Sequence, residues 1–167
     1  MKPGLMTTVA AAAVVGAAAI AGVQAGFAAP TASAEVAVPA RADNFQLVDQ
    51  NRMHHELHYY RYAPAIVLMS QKLDSKFSEK AAAELQQLAD AYEAKGVLFF
   101  MVNSTEGATR EQVAARTEAL GLTIPVLMDE QQLIGESLGV TRSGEVFVVN
   151  PKTWDIAYHG PLDNRFT

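Results

Sequence analysis

The chain has 167 residues, a formal net charge of −5, 50% hydrophobic and 19% charged residues, a composition that excludes a disordered or fibrous protein. Its lysines and arginines are scattered, and a nucleic-acid partner is not expected because it would require a basic patch. The sequence contains no cysteine, which excludes disulfides, thiolate metal sites and thiol catalysis by the chain's own residues.

Residues 1–34 have the three parts of a secretory signal. A positive start at Lys2 precedes an apolar Ala/Gly/Val run over about 7–29, and Ala32-Ser33-Ala34 gives the small-residue spacing of a cleavage site. The alternative is an uncleaved anchor, because about 18 apolar residues can span a bilayer. Alanine is only weakly hydrophobic and Pro30 follows the run, which favours cleavage. We therefore predict a periplasmic or secreted protein, exported by a Sec-type route, that meets a membrane only if the leader stays uncleaved.

A short tether is expected at 35–43, followed by a single domain over 44–167. A domain of this size can bury enough apolar surface to fold without covalent staples. Within it, Phe45–Val48 predicts a short extended segment, and His55–Tyr60, which alternates poorly, predicts a short strand or an irregular edge. The continuous apolar run Ala65–Met69 is typical of a strand buried on both faces.

The first long helix should begin near residues 74–75 and end at about Lys95. Its apolar residues recur at intervals of three or four and form one stripe, made of Phe77, Ala81, Leu85, Leu88 and Tyr92. Gly96 then supplies a left-handed stop. A second helix is expected over 109–121, because Thr109 and Gln112 form the pattern of a capping box.

The remaining elements follow in regular alternation. Buried strands are predicted at Val97–Val102 and Ile124–Met128, a helical turn at 130–138, and a closing hairpin at 145–149 and 155–159. Alternating strands and helices place parallel strands in the middle of a sheet, and the hairpin adds an antiparallel edge. The sequence therefore predicts an α/β protein with a central mixed sheet, flanking helices and a C-terminal β-hairpin.

Four segments, in this chain order, carry a resemblance to a known family: His55–Tyr60 with Ala63–Leu68, Ile124–Asp129, Leu138–Arg142 with Glu145–Val148, and Tyr158–Arg165. They resemble thioredoxin-like redoxins of the alkyl hydroperoxide reductase/thiol-specific antioxidant (AhpC/TSA) type. The resemblance implies a thioredoxin-like fold over 44–167 and, for an intact member, thiol oxidoreductase or peroxidase activity.

The catalytic residues of such proteins do not carry over to this chain. Family members place a cysteine at the N-terminus of the first long helix, where the helix dipole lowers the thiol pKa. The matching position here is Ser75, followed by Lys76 and Phe77. The family's cis-proline position is matched by Gly144, where a trans peptide is expected. The chain therefore resembles a degenerate member with no catalytic residue and no cofactor, and Ser75 is expected to cap the helix.

The rim of the former active site is the predicted binding surface. It consists of Ser75, Lys76 and Phe77 on one side and Arg142, Ser143 and Gly144 on the other. The resemblance implies that this rim accepts an extended peptide of a partner in the cell envelope, so a redox-inactive binding scaffold is the expected function. Arg142 is expected to cap a helix or to pair with a carboxylate.

Two other functions remain open. The chain could be an antioxidant, peroxiredoxin-like oxidoreductase component that works with the thiols of a partner, or one piece of a longer oxidoreductase. It could also be a periplasmic copper or zinc carrier, with His54, His55 and His58 as weak candidate ligands, because His54 and His58 would share one face of a strand or helix.

Polar and aromatic residues near the C-terminus leave two further alternatives. His159, Asp163, Asn164 and Arg165 could bind a partner or form a turn with local backbone bonds. Trp154 and Tyr158 on the terminal hairpin could form a docking surface, although half-buried packing is the more common outcome for such residues.

Overall fold

The computed structural model describes residues 38–162. The expected signal sequence at 1–34 and the polar residues Asp163, Asn164 and Arg165 lie outside the described residues. Within 38–162, no helix has the length and apolar character needed to cross a bilayer.

A five-stranded mixed sheet forms the centre of the domain, as the alternating pattern predicted. Strands β3 (Ile66–Gln71), β4 (Leu98–Asn103) and β5 (Val126–Met128) run parallel, while β6 (Glu145–Val149) and β7 (Ile156–Pro161) form the antiparallel hairpin. The strand order is β5-β4-β3-β6-β7, so β3 is central. All six residues of β3 are buried, which explains the uninterrupted apolar start of this strand.

A two-stranded sheet precedes the central one. Strand β1 (Gln46–Val48) pairs antiparallel with β2 (His54–Glu56), and a 3-10 helix (Leu57–Tyr60) follows directly. The segment expected to be a short strand or irregular edge therefore divides into the end of one strand and one helical turn. Leu57, at the start of that turn, is 2% exposed and anchors it in the core.

The first long helix, α1 (Lys76–Tyr92), starts after Ser75, whose side chain accepts a hydrogen bond from the backbone N–H of Ser78. A 3-10 turn (Glu93–Lys95) continues it to Gly96, which has φ +74° and ends the helix as expected. The centre of the apolar stripe is buried, whereas Phe77 and Leu88 remain 38% and 40% exposed. The stripe therefore packs on the sheet through its middle and leaves apolar surface at both ends.

The other two helices are short. Helix α2 (Arg110–Ala119) has the complete capping box that the sequence predicted, with Thr109 and Gln112 each bonding the other's backbone. Helix α3 (Leu133–Leu138) is shorter than the expected helical turn at 130–138, because Gln132 has φ +61° and interrupts the chain just before it.

The core consists of two apolar layers, one on each face of the sheet. Because side chains alternate along a strand, Met69 belongs to the layer under α1 with Leu85, whereas Leu68 belongs to the opposite layer with Phe147. All four are fully buried. This packing fixes the positions of the strand ends, where the candidate site lies.

Residues 40–42, which lie within the expected tether, form backbone hydrogen bonds with the chain on either side of Asp155. The N–H of Ala42 donates to the carbonyl of Trp154 (2.9 Å), and the N–H of Ile156 donates to the carbonyl of Ala40 (2.9 Å). Ala42 is 4% exposed and packs in the same layer as Phe147. These backbone groups pair with the chain around the start of β7, so residues 40–42 belong to the folded unit.

Candidate functional site

The N-terminus of α1 forms one side of the candidate site. The hydroxyl of Ser75 accepts from the N–H of Ser78 (3.2 Å), and the buried hydroxyl of Ser78 accepts from the N–H of Lys72 (3.2 Å). Ser75, which the resemblance matches to the family's cysteine, therefore caps the helix, as expected. Its oxygen is held by the backbone and satisfies one of the free N–H groups of the first turn.

The loop between α3 and β6 forms the other side, and it is anchored to the end of β3 by Ser70. The hydroxyl of Ser70 donates to the carbonyl of Arg142 (2.8 Å) and accepts from the N–H of Glu145 (3.0 Å). The carbonyl of Ser70 accepts from the N–H of Gly144 (2.7 Å). Ser143 takes part in none of these bonds. It lies between Arg142 and Gly144, whose backbone groups are both bonded to Ser70.

A buried carboxylate stabilises the same loop from within. Glu145, 3% exposed, accepts 2.8 Å hydrogen bonds from both the backbone N–H and the hydroxyl of Thr141. The Nε of Arg142 lies 3.6 Å from its Oε1, so Arg142 pairs with a carboxylate as expected, while half of the arginine side chain stays exposed. The Nε2 of His159 lies 3.8 Å from the same oxygen. Burial of this acid among donors fixes the backbone of the loop.

The two sides meet at Gly144 and Phe77. Gly144 has φ +83°, and a Cβ atom built on it would lie 2.7 Å from Cε1 of Phe77. The ring of Phe77 therefore lies directly against the glycine. The structure brings together the residues that the sequence placed on opposite sides of one rim.

A groove of about 670 Å³, here called the strand-end groove, opens beside this rim at the carboxyl ends of β3 and β4. Its lining includes Gln71, Lys72, Ser104, Glu136, Arg142 and Ser143. Crevices at the carboxyl ends of parallel strands are common binding sites, because several loops meet there. Among the described residues, the Oε1 of Gln71 is buried without a hydrogen-bond partner. The groove thus combines charges of both signs with a polar floor.

The groove residues outside the rim and the anchoring role of Ser70 were not predicted from the sequence. The end of β3 was the available signal, because ligands of open α/β sheets bind outside the carboxyl ends of the strands. Ser70 and Gln71, which continue that strand, lie beyond the apolar run that predicted it. Residues 104–106 follow β4 in the same way.

Removal of the Ser70 hydroxyl should loosen the rim without unfolding the domain. We expect Ser70→Ala to lower the free energy of unfolding by about 1–2 kcal/mol, because it leaves one buried N–H without an acceptor and one carbonyl without a donor. Urea unfolding measures this loss, and amide exchange at Glu145 should accelerate. Ser137→Ala, at an exposed hydroxyl, is the control; equal effects of the two changes would contradict the anchoring role.

The three histidines do not converge. His54 is exposed on β2, whereas the ring of His58 stacks on Trp154 at 4.1 Å between centroids. Both ring nitrogens of His55 are engaged: Nδ1 lies 2.6 Å from the hydroxyl of Tyr60, and Nε2 lies 3.0 Å from Oδ2 of Asp49. Because the strand stops at Glu56, the alternation that would align His54 with His58 is lost. Within 38–162, no group of three His, Asp or Glu side chains is arranged to hold a metal.

The aromatic residues around these histidines pack on the domain. Trp154 is half-buried in the layer that contains Phe147, whereas Tyr158 is 45% exposed on β7. Burial raises the pKa of Tyr60 above its ordinary value, and the neighbouring Tyr62, Asp49 and Tyr59 raise it further. Tyr60 is therefore a neutral phenol at physiological pH.

The strand order, the capped helix facing the β6 loop and the groove beside them define a thioredoxin-like domain without a thiol. The model of the AhpC/TSA family matches residues 38–163. The chain therefore belongs to the AhpC/TSA family, as the four sequence segments indicated. A search among curated proteins found no match.

Solved structures share the same fold. An uncharacterized conserved protein from Geobacillus kaustophilus is 24% identical, with a TM-score of 0.71 over 77% of this chain and 71% of the other. A hypothetical protein from Sinorhizobium meliloti 1021 is 23% identical, with a TM-score of 0.70 over 77% and 73%. A putative thiol:disulfide interchange protein DsbE from Chlorobium tepidum is 14% identical, with a TM-score of 0.64 over 75% and 86%. These similarities confirm the thioredoxin-like fold.

Proposed function

We propose that the protein is an exported binding module, inactive in thiol redox chemistry by itself, whose rim holds an extended peptide segment of a partner in the cell envelope. The observation that carries the proposal is that the rim is structurally complete although the chain has no cysteine. Ser75 caps the helix in place of the thiol, and Gly144 closes against Phe77 in place of the proline.

An extended peptide suits this rim because of the backbone of Ser143. The peptide groups on both sides of it are bound to Ser70, while Ser143 takes part in none of those bonds. Within 38–162, the N–H and carbonyl groups of Ser143 form no hydrogen bond, so an incoming strand could pair with them, as in strand addition to other binding domains. Phe77, 38% exposed beside Gly144, offers an apolar contact for a side chain of that peptide.

The charges around the groove favour a peptide over a simple anion. Lys72 and Arg142 are accompanied by Glu106 and Glu136 in the lining. A site built for phosphate or another anion would concentrate cations and exclude carboxylates, whereas mixed charges and hydroxyls suit polar side chains and amide groups.

The experiment uses a permanently unfolded polypeptide whose thiols are alkylated, labelled for fluorescence anisotropy. We expect Phe77→Ala to weaken its binding about tenfold, which corresponds to the loss of about 1.4 kcal/mol from a central apolar contact. Leu88→Ala is the matched control, because Leu88 lies on the same helix with a nearly equal exposure of 40%. Equal affinities for all three proteins would contradict the proposed site.

The second candidate function, an oxidoreductase component that works with a partner's thiols, is favoured by membership of the AhpC/TSA family. Hydroperoxide consumption separates the two. The purified protein alone should show no turnover above a Ser75→Ala variant, because a serine hydroxyl can form neither a sulfenic acid nor a disulfide. Turnover that depends on Ser75 would overturn the scaffold function, and turnover only with a dithiol protein present would favour the second candidate.

A further inference from the structure

A chain of three polar side chains, of which Asp49 is buried and His55 and Tyr60 are partly buried, links the β1–β2 hairpin to the 3-10 helix. Oδ2 of Asp49 lies 3.0 Å from Nε2 of His55, and Nδ1 of the same ring lies 2.6 Å from the hydroxyl of Tyr60. The side chains of Asp49 and His55 are 3% and 12% exposed. The other oxygen of Asp49 accepts from the N–H groups of Asn51 and Met53, which fixes the carboxylate in place.

The direction of these hydrogen bonds follows from their chemistry. A carboxylate can only accept, so Nε2 of His55 carries a proton and donates it to Asp49. In the neutral ring, Nδ1 then has a free lone pair and accepts from the hydroxyl of Tyr60. The phenol proton therefore points at a base 2.6 Å away, and a buried negative charge lies on the far side of that base.

Tyr60 also lies next to exposed aromatic rings. Its ring centroid is 5.7 Å from that of Tyr59 and 6.2 Å from that of Tyr62, and these two tyrosines are 70% and 64% exposed. Tyr60 lines neither the strand-end groove at the carboxyl ends of β3 and β4 nor a second groove, which is lined by His58, Arg61, Tyr62, Pro151, Lys152 and Trp154. Nucleophilic chemistry would require a substrate to be held at the phenol oxygen, whereas electron transfer through neighbouring rings requires no cavity.

We propose that Tyr60 is a proton-coupled one-electron redox site, oxidised through the exposed rings of Tyr59 and Tyr62. A one-electron oxidant such as an organic peroxyl radical takes one electron from the phenol, and the phenol proton moves to Nδ1 of His55. The products are a neutral phenoxyl radical at Tyr60, an imidazolium at His55 and a peroxide anion, which takes a proton from water. A one-electron reductant and the return of the proton from His55 restore the starting state.

The buried carboxylate makes this step possible in a low-dielectric environment. Loss of an electron without loss of the proton would leave a cationic phenol inside the protein, at a large desolvation cost. Transfer to His55 places the positive charge between the ring and the carboxylate of Asp49, 3.0 Å away, which compensates it. The absence of cysteine from the chain also removes the thiol that would otherwise reduce the radical.

The test is flash photolysis of the full chain with tris(bipyridine)ruthenium and a sacrificial electron acceptor, with the neutral tyrosyl radical followed by its absorption and by electron paramagnetic resonance. We expect Tyr60→Phe to slow reduction of the photogenerated ruthenium(III) roughly tenfold, because the phenol with a prepared base is removed. Tyr92→Phe is the control. Tyr92 is 40% exposed and its ring faces Lys95, not a histidine.

His55→Gln distinguishes proton acceptance from hydrogen bonding alone. Glutamine can accept a hydrogen bond from Tyr60 but cannot take its proton, so radical formation should slow while urea unfolding shows an intact fold. If this variant fails to fold, Tyr60→Phe decides the question, because its ring still packs against Phe100. Wild-type rates in Tyr60→Phe, or an indolyl signal from Trp154 in place of the tyrosyl signal, would overturn the proposal.

Discussion

Replacement of Gly144 by alanine should lower the free energy of unfolding by about 2–4 kcal/mol, which is a large share of the stability of a small domain. Two costs add at this position. The backbone has φ +83°, where an L-residue is strained, and the new methyl group would lie 2.7 Å from Cε1 and 3.3 Å from Cδ1 of Phe77. The ring must move away, so the rim should lose both stability and peptide affinity.

The two costs can be separated by urea unfolding of matched variants. Gly107 has φ +71° and nothing within 4 Å of an added Cβ, so Gly107→Ala should show only the backbone cost of about 1–2 kcal/mol. In a Phe77→Ala background, the stability cost of Gly144→Ala should fall to the same value, because the clash with the ring is gone. If Gly144→Ala costs no more than Gly107→Ala in the wild-type background, the ring does not restrain this loop.

The helix starts were predictable from sequence because their causes are local. Ser75 caps α1, and Thr109 with Gln112 closes the capping box of α2, in each case through bonds that span three residues. Gly96 ends the first helical segment through its left-handed conformation, again a property of one residue. The strands were predictable for a related reason, since a continuous apolar run identifies a strand buried on both faces.

The site was only partly predictable, because the bonds that shape it join distant parts of the chain. Ser70 and Glu145 are 75 positions apart, and no periodicity connects them. Gly144 was placed opposite Phe77 only by resemblance to the family, although its contact with the ring is a property of this chain. The contacts of His55 were not predictable either. As part of a histidine cluster it suggested a metal ligand, but its ring nitrogens contact Asp49 and Tyr60.

The rim is closed at Ser75 although the chain has no cysteine. A serine at a helix N-cap makes a bond that a thiol makes poorly, so Ser75 stabilises the first turn of α1. Gly144 allows the β6 loop to approach Phe77 more closely than any residue with a side chain could. Both residues favour a static contact surface, which supports the proposed peptide binding.

The second large effect is expected at Asp129, which lies at the end of β5 and holds the start of α3. Its carboxylate, 2% exposed, accepts from the hydroxyl of Ser104 (2.8 Å) and from the N–H groups of Ile134 (3.2 Å) and Gly135 (2.9 Å). Asp129→Ala should lower the free energy of unfolding by about 3 kcal/mol, because three donors lose a charged acceptor at once.

Graded variants test whether this loss comes from the hydrogen bonds. In Asp129→Asn the amide oxygen can replace Oδ2 and keep the bonds from Ser104 and Gly135, so the cost should fall to about 1–2 kcal/mol. Asp155→Ala, which removes an exposed carboxylate 3.7 Å from Arg41, should change stability by less than about 0.5 kcal/mol. Ser104 and Gly135 both line the strand-end groove, so Asp129→Ala should also weaken peptide binding. If Asp129→Asn and Asp129→Ala lose equal stability, the negative charge of Asp129, and not its hydrogen bonds to these donors, is what stabilises α3.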